Sequence, residues 1–205
     1  MIDISKTEVT GWEAAIRGMR NPMNSWAWSD TIITDNVVSV GERDARLMKS
    51  LAASGSDHRK YLRMITVTLD ILAPLYWWKE FDTYKVGTVA NSCSTMHKLA
   101  DKEFDISDFS HEHLLGDFEL ELQHLIDTLN SARSMYVKTA GDNKLVWWQM
   151  IQLLPSSYNQ LRTVQLNYEV LSNIYHSRRY HKLDEWRVFC QWIESLPHSE
   201  LITNA

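Results

Sequence analysis

The chain has few cysteines, few glycines and no surplus of positive charge. Cys93 and Cys190 are its two cysteines in 205 residues, too few for a disulfide scaffold. The opening residues MIDISKTEV carry no basic stretch followed by an apolar run, so a reduced, cytoplasmic compartment is expected. Charges such as Arg63, Lys79 and Glu80 break every apolar run before the roughly 18 residues that a membrane span needs. A soluble protein with no membrane partner is expected. Gly87 stands alone between Val86 and Thr88, and no glycine-rich phosphate loop occurs, which argues against P-loop and Rossmann folds. Lys+Arg 21 against Asp+Glu 26 gives a formal net charge of -5, so overall charge attracts no nucleic acid. A single nucleotide phosphate can still be held, because that takes a few directed donors and not a positive surface.

Hydrophobic residues make up 44% of the chain, enough to bury a substantial core, and the length fits one globular domain over residues 1–205. Nine tryptophans serve packing, subunit interfaces or stacking on planar ligands, and composition does not choose among these. Residues 2–9 alternate as a half-buried strand does, and Trp12, Ala15, Ile16 and Met19 then follow at helical spacing until Asn21-Pro22. The stretch 23–40 is poorly periodic. Residues 41–53 read as a helix with Gly55 at a left-handed cap, and 61–72 read as a strand. Ala73-Pro74 opens a helix through Trp77, Trp78 and Phe81 that ends near Thr83.

Ser92 or Ser94 is placed to cap a helix through Met96 and Leu99, and residues 105–110 offer further caps. Residues 113–140 form the longest predicted helix, with Leu115, Phe118, Leu122, Leu125, Ile126 and Leu129 on its apolar face. Gly141-Asp142 punctuates it. A helix over 143–154, a strand over 158–166 and helices over 168–175 and 184–196 complete the pattern. Strands separated by long helices without regular alternation predict an α+β fold, a small mixed or antiparallel sheet flanked by helices. His111, His113 and His124 lack a completing Cys or carboxylate on a rigid spacing, so no metal is expected.

The most distinctive stretch is YWWKEFDTYKVGTVANSCSTMHK, residues 76–98, preceded by Ile71-Leu72-Ala73-Pro74. It resembles the signature region of the flavin-dependent thymidylate synthases, where a strand ending in Ala-Pro leads into an aromatic helix and an Asn-x-x-Ser. Here that last motif is Asn91-Ser92-Cys93-Ser94. A second patch of likeness contains Leu154-Pro155, Arg162, Asn167 and Arg178. The chain departs from the family pattern at several polar positions. Tyr84-Lys85-Val86 stands where the family has Arg-His-Arg, Ser92 where it has Glu, Met96 where it has Arg and His97 where it has Tyr.

The resemblance implies a fold of the thymidylate synthase complementing protein type. It also implies an FAD-dependent methyltransferase of nucleotide biosynthesis, a homotetramer with FAD between subunits and dUMP against the flavin. In such an enzyme methylenetetrahydrofolate gives the carbon and NADPH the electrons. Carried over residue by residue, it places Ser94 at the reacting pyrimidine as the catalytic residue. Lys85, Asn91 and Asn167 fall on the cofactor, and Ser94, His97, Arg162 and Arg178 on the substrate. Two alternatives are a homologue that keeps a nucleotide pocket as a binding or regulatory module, and a related nucleotide-modifying enzyme, for instance a hydroxymethylase.

Each candidate also has an ordinary structural role. Ser94 serves as a cap as readily as a ligand contact. Cys93 is a nucleophile only if a cation or helix N-terminus lowers its pKa, and otherwise a buried structural thiol. His97 fits a nucleotide hydrogen bond or an ordinary helical surface. The cluster Arg178, Arg179, His181 and Lys182 suits a phosphate or simply a helix C-terminus. Trp77 and Trp78 either stack on a flavin ring or pack.

Overall fold

The computed structural model describes residues 1–34 and 37–205; positions 35 and 36, inside the stretch read as poorly periodic, lie outside the described residues. The fold is α+β. Its elements run β1 (Asp3–Thr10), α1 (Trp12–Arg20), β2 (Ile32–Thr34), β3 (Val37–Ser39), α2 (Glu42–Ala53), β4 (Thr66–Pro74), α3 (Leu75–Phe81), β5 (Val89–Ser92), α4 (Asp117–Lys138), α5 (Lys144–Leu153), β6 (Asn159–Asn167), α6 (Tyr168–Arg178), α7 (Asp184–Glu194) and α8 (Glu200–Thr203). Four strands form one sheet in the order β1-β4-β6-β5, and β2 pairs antiparallel with β3, Ile33 opposite Val38. Two compact units emerge, one made of Met1–Asp3, Ile71–Thr83 and Asn91–Arg162, the other of Ile4–Asp70, Tyr84–Ala90 and Thr163–Ala205.

In the first unit α3 is an aromatic plug. Trp77 and Trp78 are fully buried and Phe81 nearly so, with Trp77 and Phe81 stacked at 5.0 Å between ring centroids. Trp78 Nε1 donates to the Gln160 carbonyl at 2.9 Å, which satisfies the one polar atom this ring brings inside. Full burial decides between the two roles open to these tryptophans: both pack. The N–H groups of Leu75 and Tyr76 donate to the carbonyls of Tyr158 and Ser156, so the first turn of α3 is tied to the residues leading into β6. A second cluster joins Leu122, Ile126, Leu129 and Ala132 of α4 to Met150 of α5, with Leu99, Phe104 and Phe109. Asn130 brackets Phe104, its Oδ1 accepting the backbone N–H at 2.8 Å and its Nδ2 donating to the carbonyl at 2.9 Å.

In the second unit α6 packs on α7 and α8, and α1 packs on a 3-10 helix over Arg59–Met64. Trp12 meets Tyr168 edge-on at 5.5 Å, and the Tyr168 hydroxyl donates to the Pro197 carbonyl at 2.5 Å. Gly11 has φ +89°, and a Cβ there would stand 2.0 Å from the Met64 carbonyl oxygen, so only glycine fits at the start of α1. Arg20 and Asp44 form a buried ion pair, considered further below.

Several predicted elements differ from the observed ones. The strand placed at 61–72 begins at Thr66, because Tyr61 and Leu62 are buried from a 3-10 turn in which the Tyr61 hydroxyl donates to the Met48 carbonyl at 2.8 Å. The helix expected from Ser92 or Ser94 to Leu99 is replaced by turns, since short hydroxyl side chains there compete for the backbone donors. Helix α4 starts at Asp117, which leaves Leu115 outside it and exposed, and Phe118 is exposed as well. The short strands β2, β3 and β5 and the four-residue helix α8 carry too few residues for any periodicity to register. Among the described residues no helix is long and apolar enough to cross a membrane.

Candidate functional site

The residues singled out in the sequence divide between the two units. Asn91, Ser94, His97 and Arg162 belong to the first, and Lys85, Asn167 and Arg178 to the second.

In the first unit β5 and β6 are neighbours, and a hydrogen-bonded chain links Arg162 to the turn that carries Ser94. Arg162 Nε donates to Gln160 Oε1 at 3.0 Å, Gln160 Nε2 donates to the Cys93 carbonyl at 2.8 Å, and the Cys93 N–H donates to the Leu161 carbonyl at 2.9 Å. Gln160 is buried, so both ends of its amide are spoken for. The guanidinium of Arg162 also pairs with Asp82 at 2.8 Å and lies 4.2 Å from the centre of the Trp78 ring. Arg162 is thus rigid and partly neutralised. Ser94 Oγ accepts the N–H groups of His97 at 3.0 Å and Met96 at 3.3 Å. With both lone pairs taken, its O–H can only donate, which suits a carbonyl oxygen of a planar ring.

Asn91 is exposed on β5, and Cys93 is exposed too, which overturns the buried structural role for that thiol. His97 is exposed at the mouth of a cavity of about 490 Å³ that it lines with Tyr136, Lys144 and Trp147. Trp147 Nε1 donates to the Met96 carbonyl at 3.1 Å and so fixes one wall of that cavity.

In the second unit the segment 84–90 meets two of the chosen residues. Arg178 Nε donates to the Tyr84 hydroxyl at 2.9 Å, and its guanidinium lies 4.9 Å from the Trp186 ring centre. Tyr84 stands where the resemblance put an arginine. It supplies a neutral acceptor and a ring face to Arg178. Gly87, at φ +79°, faces Asn167, since an added Cβ would stand 3.1 Å from Asn167 Nδ2 and from Val170 Cγ2. Asn167 caps α6, its Oδ1 accepting the Val170 N–H at 3.1 Å. Lys85 is exposed and Val86 almost fully so.

Sequence reasoning missed a pocket beside this cap. Ser56, Arg59, Arg63, Gly87, Asn167, Glu169 and Asn173 line a cavity of about 530 Å³. The buried Glu169 carboxylate binds Arg63 through Nε and, at 3.2 Å, through Nη2, and lies 3.8 Å from Arg59 Nε. Hydrogen bonding to Glu169, with the further charge of Asp57, raises the Arg63 pKa above its ordinary value. Arg59 Nε is buried with no hydrogen-bond partner, and Arg59 Nη2 reaches Asn173 at 3.5 Å. The hint in the sequence was the RKYLR run over 59–63, which concentrates two arginines and a lysine within five residues. Among the described residues no group of three His, Cys, Asp or Glu is placed to hold a metal ion.

No protein-family model and no curated protein matches the chain. Solved structures do. A flavin-dependent thymidylate synthase, ThyX, from Helicobacter pylori complexed with FAD and dUMP superposes with a TM-score of 0.72 over 98% of each chain at 17% identity. A second structure of ThyX from Helicobacter pylori with FAD and dUMP gives 0.72 over 100% of this chain and 98% of that one at 15% identity. The UMP/dUMP methylase PolB from Streptomyces cacaoi, bound with 5-Br dUMP, gives 0.64 over 99% and 94% at 12% identity. At these identities the likeness is one of fold, and it runs the length of the chain.

Proposed function

We propose that the chain is a flavin-dependent enzyme that transfers a one-carbon unit to C5 of a uracil nucleotide such as dUMP. The observation that carries this reading is the end-to-end correspondence of fold with two kinds of nucleotide methylase, one of them complexed with FAD. In the reaction the methylene carbon of methylenetetrahydrofolate would bond to C5 as its bonds to the folate nitrogens break, the C5 proton would leave, and a hydride drawn from NADPH would reduce the methylene to methyl, releasing tetrahydrofolate and NADP+. When bound, a flavin would supply the hydride relay, and the protein's part is placement. In the first unit the Ser94 O–H donates to the pyrimidine, Arg162 is the phosphate donor, and Asn91 and His97 border the rings; in the second unit Arg178 is the candidate phosphate donor. Homotetramer assembly and a cytoplasmic location belong to the same reading. Exposed Met23, Trp26, Trp28, Ile32 and Val37 in the second unit are the kind of apolar surface that subunits cover.

The donors present suit a flavin dinucleotide. Its diphosphate demands cations or N–H groups, and Arg59, Arg63 and the first turn of α6 supply them in one pocket of the second unit. The test is a visible spectrum of the purified protein before and after addition of FAD, followed by dTMP formation from dUMP, methylenetetrahydrofolate and NADPH. A flavin spectrum with turnover is expected. A protein that stays colourless after FAD addition and dialysis overturns the reading.

The alternative of a nucleotide-binding module without the redox step draws on one observation: Tyr84, Val86 and Ser92 stand where the resemblance has two arginines and a glutamate. Heat on titration with dUMP, with no FAD uptake, would favour it.

A further inference from the structure

The second unit lacks arginines at 84 and 86, yet it holds two others within one pocket. Arg59 and Arg63 line the cavity of about 530 Å³ together with Asn167, Glu169 and Val170 of the α6 N-terminus and with Gly87. Its lining carries two guanidinium groups against one carboxylate. Glu169 fixes the guanidiniums without cancelling both, which is how a cationic site is preorganised at limited entropic cost. The eleven-residue α6 presents the positive end of its dipole, and the buried Arg59 Nε has a hydrogen still to donate. Gly87 keeps the floor open, for any Cβ there would press on Asn167 and Val170.

We infer that this pocket binds the diphosphate of a dinucleotide, with Arg59 and Arg63 serving in place of the arginines absent at positions 84 and 86. The inference deepens the flavin-dependent reading and rests on it for the identity of the ligand, FAD; the diphosphate of NADPH has the same chemistry, and the test separates the two.

ADP, FAD, NADPH and, separately, dUMP are titrated calorimetrically into the wild type and three variants. Val86 lines the pocket and is 92% exposed, so Val86→Arg and Val86→Glu change its charge without touching the core. Arg63→Ala removes one fork. Val86→Arg is expected to tighten ADP and FAD binding and Val86→Glu and Arg63→Ala to weaken it, each on the order of tenfold for one charged hydrogen bond gained or lost. The dUMP affinity is expected to stay constant. FAD affinity that ignores all three variants overturns the pocket while leaving the flavin reading intact. ADP and NADPH affinities that follow the variants, with no binding of FAD, support the pocket and overturn the flavin reading. A wild type that binds none of ADP, FAD and NADPH overturns the inference outright.

Discussion

Replacing Asp44 by Asn should be among the most damaging single changes in the second unit. The Asp44 side chain is fully buried, and Arg20 beside it is 4% exposed. One carboxylate oxygen takes Arg20 Nε at 2.7 Å, while the other accepts the Ser29 and Thr31 hydroxyls at 2.7 Å and the N–H groups of Thr31 and Asp30 at 3.0 and 3.1 Å. An amide offers one acceptor oxygen to these donors and leaves the Arg20 charge without its counterion. Removing one member of a buried pair costs roughly 3–5 kcal/mol. At about 2–4 °C per kcal/mol for a chain of this length, the melting temperature should fall by roughly 6–20 °C.

The pH dependence has a definite sign. Burial alone would raise the Asp44 carboxyl, but hydrogen bonds from Ser29, Thr31 and Arg20 outweigh it and hold the group below its ordinary value of 3.8. Its stabilisation is therefore complete above that value and is lost as pH falls through the lower folded-state value. Thermal unfolding followed by circular dichroism at pH 7 and near pH 3 should show a gap between wild type and Asp44→Asn that narrows in acid. A loss under about 1 kcal/mol at pH 7, or a gap that widens in acid, refutes the reasoning.

Two further outcomes follow from the first and second units in turn. Gln160→Met keeps the volume but leaves the Cys93 carbonyl and Arg162 Nε without their partner, so a loss of about 1–3 kcal/mol and weaker dUMP binding are expected; chemical denaturation and calorimetry measure both, and no change in either would mean that Gln160 does not hold the Ser94 turn. Cys93 is exposed whereas burial pushes the Cys190 thiol up to about 11, so mass spectrometry after brief iodoacetamide treatment should find Cys93 alkylated and Cys190 intact; modification of Cys190 first would contradict the packing of α7.

The long amphipathic elements were legible because burial imposes a period on them. Strand β4 alternates buried and half-buried positions, and the spacing of Trp12, Ala15, Ile16 and Met19 identified the α1 face. The body of α6 was legible from the helical reading of 168–175, whereas its Asn167 cap was not: that residue drew attention only through the resemblance. What escaped detection depends on partners remote in sequence. Ser94 looked like a helix cap and does accept backbone N–H groups, but nothing local reveals that Gln160 holds the preceding carbonyl across 67 residues. The pocket of Arg59 and Arg63 was hidden likewise, because the buried Glu169 that organises it lies 106 residues further on.

Arginine in this protein is repeatedly matched with a carboxylate: Arg20 with Asp44, Arg162 with Asp82, and Arg59 and Arg63 with Glu169. With a net charge of -5, an unmatched cation would be the exception in a negative field. Such a field does not draw phosphates from a distance, since fields are screened within about 10 Å at ordinary ionic strength and here have the wrong sign on average. Recognition of an anion must then rest on donors already aimed before it arrives. A carboxylate behind a guanidinium does that, because it fixes the plane of the fork while using only some of its five N–H groups. On the proposed reading the same pairing makes tyrosine and valine at positions 84 and 86 compatible with anion binding: oriented donors are needed somewhere on the pocket wall, and two arginines braced by one buried glutamate line it from a different segment of the chain.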